Sequence, residues 1–391
     1  MMESLPEKIK GMDVQKILQI KEKLRSIIFG QKDLVGVDLG SYAIKVVWLA
    51  LEGNGCVLKL WGHIPLNLKP EASAEEKKLQ AVSLLKEFLS QKAVPLKQAA
   101  TSVSGNAVIV RYVKLPKLSK QELAMSLPTE AEPYIPFDIR EVGLGSHILG
   151  EVMEEGQKKM ETVLVAVKKD ALQNKIDVVE GVGLRPIVID VDAFALEGVH
   201  EKVTPSMESG GAVLYLNIGH TVTNLSIVEG GITRVVRDIF ISGSTLTKAI
   251  QKALQYDFDK AEEVKRTFGI LITPEEKEKA LQEGNRDALG VSQAVSAVVH
   301  DLVVEMHRSV DFYLSQGSER SISKIILAGG SANLKNLPQF LSAELKVPVE
   351  VFNPFSFVSE QAPGVESVPG DLVPALAVAM GLALRRMGDW E

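Results

Sequence analysis

Val35-Gly36-Val37-Asp38-Leu39-Gly40-Ser41 is an apolar run that ends in a polar-x-Gly turn, and Ile44–Leu49 continues it as a second apolar run. The pattern is strand, turn, strand. It returns near the middle of the chain as Leu214-Tyr215-Leu216-Asn217-Ile218-Gly219-His220, followed by Thr223–Val228. Two such units predict a duplicated architecture of two α/β halves. A tight turn of this kind can wrap backbone N–H groups around a phosphate, with glycine where the chain must approach closely. A third anion-friendly turn, Ala328-Gly329-Gly330-Ser331, follows the buried-type strand Ile322–Leu327 and opens toward a helix expected over about 335–345.

Around these anchors the periodicity predicts further elements. Strands are expected at Val57–Leu60 and Thr101–Val103, with a helix over 74–91 that aligns Leu79, Val82, Leu85 and Phe88. Residues 106–185 read as a compact α+β unit inserted into a larger domain. Its strands are Val108–Val113, Val142–Leu149 and Thr162–Val167; its helices are Lys120–Tyr134, interrupted by Pro128, and Lys169–Glu180. Strands Ile187–Asp190 and Ile232–Ile239 follow, with helices at Ala193–Glu201, 242–254, 259–268, 274–283 and 286–315. A short strand Val349–Val351 and an apolar helix Leu372–Arg386 close the pattern.

Composition narrows the function classes. With 391 residues, 46% hydrophobic and 24% charged, the chain has room for two or three domains with their own cores. Net charge −6 argues against nucleic acid as the main partner. One cysteine, Cys56, excludes a disulfide framework or cysteine-built metal site. Residues 1–32 hold seven basic and four acidic side chains around Val14, Ile17, Leu24, Ile27 and Ile28, the pattern of a basic amphipathic helix. Such a helix can rest on an anionic membrane or dock on its own domain or a partner. No uninterrupted apolar run reaches the roughly 18 residues of a bilayer span, so a cytoplasmic location is expected. Gly181-Val182-Gly183 has Pro186 where a dinucleotide loop needs its third glycine, and no Gly-Lys-Ser/Thr loop occurs. His300 and His307, with Asp301 and Glu305, more readily form a helix face than a metal site.

The order of these motifs resembles the actin, sugar-kinase and Hsp70 ATPase superfamily. Asp38, Gly40, Ser41 and Lys45 match its first phosphate loop. Asn217, Gly219 and Thr223 match the second, with Asn217 in place of an expected aspartate. Glu262 and Lys265 fit its Glu-x-x-Lys nucleoside helix, although an i,i+3 pair alone would read as a solvated salt bridge. Gly329, Gly330 and Ser331 fit the adenosine turn, and Asp192 stands where the superfamily positions its attacking water. Ser41 and Thr223 have a plainer reading as turn-closing residues.

Gly36–Ser41, Glu130-Ala131-Glu132-Pro133-Tyr134-Ile135-Pro136-Phe137 and Asp190-Val191-Asp192-Ala193-Phe194-Ala195-Leu196 are similar to the PilM family, FtsA-like components of the type IV pilus assembly platform. The resemblance covers about residues 30–390. It implies an α/β, actin-like ATPase fold of two RNase H-like halves with an inserted FtsA-type α+β 1C subdomain. The division expected is a leader at 1–33; subdomain 1A at 34–105, 186–209 and 372–391; 1C at 106–185; 2A at 210–256 and 301–371; and 2B at 257–300. Implied too are ATP and Mg²⁺, the latter held through water by Asp38. Expected partners are the cytoplasmic N-terminus of a PilN-like membrane protein and, indirectly, the pilus motor ATPases, with self-association possible and attachment to the inner membrane only through partners. Asn217 lacks the charge Mg²⁺ prefers, so nucleotide binding with slow or absent hydrolysis is expected. Two other classes compete. One is an FtsA-like, membrane-associated division protein, disfavoured because Arg385–Glu391 leaves little room for a tether. The other is a small-molecule kinase, disfavoured by the inserted unit and Asn217.

Overall fold

The computed structural model describes residues 33–52, 55–68, 72–154, 156–203, 211–317 and 319–386. The leader helix expected over 1–32 and the last five residues lie outside these. The first half opens with β1 (Val35–Leu39), β2 (Ala43–Glu52) and β3 (Gly55–Pro65), an antiparallel meander. Helix α1 (Ala74–Gln91) crosses back, and β4 (Gln98–Val103) lies parallel to β1. Next come β5 (Val108–Pro116), α2 (Lys120–Ala131), β6 (Val142–Glu154), β7 (Gln157–Lys168) and α3 (Lys169–Gly181). Then β8 (Arg185–Val191) pairs with β4, and α4 (Asp192–Val203) follows.

The second half repeats the meander as β9 (Ala212–Ile218), β10 (Thr223–Glu229) and β11 (Ile232–Ile239). Helices α5 (Gly243–Leu254), α6 (Phe258–Phe268), α7 (Pro274–Gln282) and α8 (Arg286–Leu314) precede β12 (Ile322–Ala328), which is parallel to β9. Helix α9 (Leu337–Leu345) and β13 (Val349–Val351) complete this half. Strand β14 (Glu360–Gln361) returns to the edge of the first sheet beside β3, and α10 (Ala377–Leu384) ends the described fold.

The duplication is visible in the strand orders, β14-β3-β2-β1-β4-β8 and β11-β10-β9-β12-β13. Apart from β14, the two sheets have one connectivity. Register carries the parallel to single residues: Asp38 faces Lys45 across β1–β2, and Asn217 faces Asn224 across β9–β10. Strands β1 and β9 are central in their sheets, which explains their near-continuous apolar sequence.

Helix α10 is the common core of both halves. Its residues Ala377–Ala383 are all buried, in a cluster that joins Leu34 and Val47 of the first half to Tyr215 and Ile326 of the second. Glycines permit the contact. A Cβ on Gly36 would lie 2.3 Å from Ala379 O, and one on Gly381 would lie 1.9 Å from Ala195 O. Helix α8 has a best 18-residue window of mean hydropathy 1.3, enough by length and composition for a bilayer span. Its apolar stripe, including Val291, Val295, Val299, Leu302 and Met306, is packed in the second-half core.

Strands β5, β7 and β6 form a separate antiparallel sheet in that order. Val108, Val110, Tyr112 and Val163 rest on Val191, Ala193 and Phe194 of the first half and on Val236 of the second. Helix α3 follows this sheet but sends Val178 and Val179 into the first-half core beside Val35 and Leu85.

Several elements differ from expectation. Pro128 does not interrupt α2, which runs to Ala131 before a 3₁₀ turn, Glu132–Tyr134. The Ser119–Glu122 capping box starts it, and Leu123 and Ala131 anchor it in the small core. The closing helix is shorter than expected because the segment around Pro374 forms a 3₁₀ turn, Val373–Leu376, ahead of it.

Gly381→Ala should lower stability, although alanine normally gains about 0.5–1 kcal/mol over glycine inside a helix. Overpacking against Ala195 costs about 1–3 kcal/mol or more and decides the sign. Chemical denaturation should show this loss, with Gly145→Ala near neutral because nothing lies within 4 Å of its added Cβ.

Candidate functional site

The β1–β2 register sets Asp38 and Lys45 on one face, with Lys45 Nζ 3.0 Å from Asp38 Oδ2. Gly40 leaves space for that ammonium: a Cβ there would lie 2.5 Å from Lys45 Nζ. Ser41 at the tip places its Oγ 2.9 Å from Thr221 Oγ1 in the turn of the other half. The two duplicated turns therefore meet.

The second turn is built on amides. Asn217 Nδ2 donates to Asn224 Oδ1 at 2.9 Å, and Asn224 Nδ2 donates to Asp238 Oδ1 at 2.6 Å. Asp238 Oδ2 also accepts the Gly105 N–H at 2.5 Å, linking the second half to the segment before β5. Burial raises the Asp238 carboxyl above the usual carboxylate range, against these hydrogen bonds. The third turn closes the group. Gly329 takes φ +86°, its N–H donates to Pro374 O at 2.8 Å, and the Ser331 N–H donates to Ile218 O at 3.2 Å. A Cβ on Gly329 would strike Ile218 O at 2.5 Å and Asn217 Oδ1 at 2.7 Å.

The three turns line one cleft of about 890 Å³, within the range of small-molecule sites. Its second-half wall is the Glu262–Lys265 pair on α6. Lys265 is 7% exposed. Its Nζ donates to Gly243 O at 3.2 Å, to Thr247 Oγ1 at 2.8 Å and to Glu262 Oε1. This is a buried, fully engaged ion pair and not a solvated one. Burial lowers the Lys265 pKa, while that lysine holds Glu262 below the usual carboxylate range against its own burial. Arg266 lies 3.7 Å from Glu262 and donates to Tyr42 Oη at 3.1 Å, a second bond across the cleft.

Asp192 is the first residue of α4, at the floor of the cleft. Its enclosure pushes the carboxyl up to about 6; Asp38 adds to the rise, and hydrogen bonds from Ser102 and Ser104 oppose it. Lys175 of α3 also reaches in, its Nζ donating to Leu39 O at 2.8 Å. Burial lowers its pKa, and Asp192 and Asp38 offset this. Burial likewise lowers His63 and His220 on the cleft walls.

The cleft brings together Asp38, Gly40, Ser41, Lys45, Asp192, Asn217, Gly219, Glu262, Lys265, Gly329, Gly330 and Ser331. Thr223 is the exception. It is fully buried, and its Oγ1 donates to Ile241 O at 2.7 Å, closing the chain path into α5. Thr221, two residues earlier, lines the cleft instead. Sequence reasoning missed Thr221, although it lies inside the second turn, and also Tyr42 and Lys175. Lys175 has no local motif, because its helix arrives from the inserted segment.

Among the described residues no cluster of three or more His, Cys, Asp or Glu side chains forms a metal cage. His300 instead packs its ring 5.0 Å from Phe340. Mg²⁺ commonly takes one or two carboxylates and completes its shell with water and phosphate oxygens. Asp38 and Asp192, both on the cleft, fit that donor set.

Asp192 in the folded protein binds its proton more tightly than in the unfolded chain. Stability should therefore fall as pH rises from about 4 to about 6. Asp192→Asn should flatten that fall and raise stability of the ligand-free protein at pH 8 by about 1–3 kcal/mol. Thermal denaturation of both proteins across pH checks this; parallel curves would contradict it.

The family described as Type IV pilus assembly protein PilM matches residues 36–387. A solved structure described as a PilM-PilN type IV pilus biogenesis complex is similar with a TM-score of 0.76 at 28% identity, covering 90% of this chain and 98% of that one. Cell division protein FtsA of Staphylococcus epidermidis is 23% identical over 216 residues, 52% of this chain and 44% of the relative. The chain thus matches less than half the length of that curated relative, a distant likeness. Two sheets of one connectivity around a shared cleft, with this neighbour, make the fold actin-like. With the family match running from Gly36 in β1 to beyond α10, the chain belongs to the type IV pilus assembly protein PilM family.

Proposed function

We propose that this protein is a nucleotide-binding scaffold of the type IV pilus assembly platform. It binds ATP with Mg²⁺ in the cleft between the halves and engages the cytoplasmic N-terminal peptide of a PilN-like membrane protein. It is cytoplasmic and reaches the inner membrane through that partner, with the motor ATPases contacted indirectly. Self-association through the same platform is part of this reading. The observation that carries it is the likeness to the PilM-PilN complex over 98% of that chain, together with three glycine-bearing turns meeting at one cleft. The inserted unit, proposed as residues 106–185, supplies one wall of the peptide groove and the first half supplies the other.

Within the cleft, turn N–H groups supply donors for phosphate oxygens, and Lys45 supplies a countercharge next to them. The Glu262–Lys265 wall and the Gly329-Gly330-Ser331 turn flank the nucleoside. Magnesium, when bound, supplies positive charge to the phosphate oxygens, with Asp38 as its protein anchor through water. Asp192 orients water at the floor. Asn217 spends its amide on Asn224 and brings no charge to the metal, which supports slow or absent hydrolysis.

Calorimetric titration with the PilN-like N-terminal peptide, with and without Mg-ATP, tests the partner. Specific heat of binding is expected; none in either condition, with folded protein, would move the division-protein reading to the front. Gly329→Val should abolish nucleotide binding while leaving peptide binding, because its side chain would fill the turn and demand an unfavourable φ. Phosphate release should be slow in the wild type. Rapid turnover lost in Asp192→Ala would overturn the slow-hydrolysis reading.

A further inference from the structure

The phosphate end of the cleft holds a cation that no turn supplies. Lys175 belongs to α3, outside the three turns and outside α6. Among the described residues its one hydrogen bond goes to Leu39 O, at 2.8 Å, in the loop that also carries Asp38 and Gly40. An ammonium has three donors, so two N–H bonds remain for the cleft that it lines. A neutral amide would satisfy a lone carbonyl equally well. Lysine adds a charge, whose burial Asp192 and Asp38 offset and a phosphate anion would offset further.

The surrounding charges set a second condition. Lys45 is already committed to Asp38 at 3.0 Å. Asp192 is the other carboxylate at this end, and Asn217 brings no charge. A divalent metal therefore has fewer anionic anchors here than a site with an aspartate in the second turn. An incoming polyphosphate would need positive charge beyond what Lys45 gives while paired with Asp38, and Lys175 is placed to supply it as a point charge.

We propose that Lys175 is a second phosphate-binding cation, through which the cleft holds a nucleoside polyphosphate with little dependence on divalent metal. This rests on the nucleotide-binding reading above. Lys45 and Lys175 reach the first loop from different elements, β2 and α3, and both stand close enough to that loop to bond it. Divalent metal would then adjust the geometry of a bound nucleotide more than its affinity.

The test is calorimetry of the full chain with a non-hydrolysable ATP analogue and, separately, with adenosine. Each is run in excess EDTA and in Mg²⁺, for the wild type, Lys175→Met and Lys175→Gln. The glutamine variant keeps an N–H donor for Leu39 and removes the charge, so it carries the test should the methionine variant misfold. Wild-type affinity for the analogue should change less than about tenfold between EDTA and Mg²⁺. Both variants should lose about 10- to 100-fold in EDTA, the scale of one charge-assisted hydrogen bond, while adenosine binding is unchanged. A wild type that binds the analogue only with Mg²⁺ would overturn the inference and leave nucleotide binding standing. Equal losses for adenosine and analogue would reduce Lys175 to a structural prop. A wild type that binds neither ligand in either condition would remove the nucleotide reading itself.

Discussion

Backbone touches backbone on two sides of α10, and the site depends on that contact. Gly36 lets the helix approach β1, and Gly381 lets it approach α4. The far end of β1 carries Asp38, and α4 begins at Asp192. The residues that lead into α10 hold the third turn, because Pro374 O accepts the Gly329 N–H. One buried helix thus fixes the spacing of the first turn, the floor and the third turn. Interiors packed this closely transmit small displacements instead of absorbing them.

The cleft is also joined directly across its mouth. Ser41 meets Thr221, and Tyr42 meets Arg266, which is itself held near Glu262. Ser41 and Arg266 are exposed and Tyr42 is half-buried, so each bond adds little stability by itself. Their value is positional. They bring the two duplicated turns and the α6 wall into one arrangement, with the Lys45–Asp38 and Lys265–Glu262 pairs on the same cleft.

Much of this was legible from residues 35–41 and 214–220. Apolar periodicity fixed the strands, and glycine spacing identified the turns, because both follow from local backbone chemistry. What local reading leaves open is mostly non-local. Spacing assigns Thr223 to the site, yet it opens β10 fully buried and bonds Ile241 O, while Thr221 stays in the turn before the strand and lines the cleft. Glu262 and Lys265 read alone as a surface pair; only the packing of α5 against α6 removes them from solvent. Lys175 was invisible because its helix packs on the first-half core after a long excursion through the small sheet. Pro128 sits inside α2 because a capped start and apolar anchors outweigh one missing hydrogen bond.

The small sheet leans on both halves, through Phe194 on one side and Val236 on the other, and Arg234 binds Glu161 at 3.2 Å. Gly105, at its entrance, is held by Asp238. A rotation between the halves must therefore break these seams or carry the sheet with it. Strand β6 has 13 residues, and at about 3.3 Å per residue it spans roughly 40 Å. The seam runs far up that length, to Leu149 and to Glu161 opposite Gly150, so only Glu151–Glu154 and their partners Gln157–Met160 project beyond it, by roughly 13 Å. Held along most of its length, the sheet acts as a splint across the two halves, and an angular change between them is felt as shear along this seam.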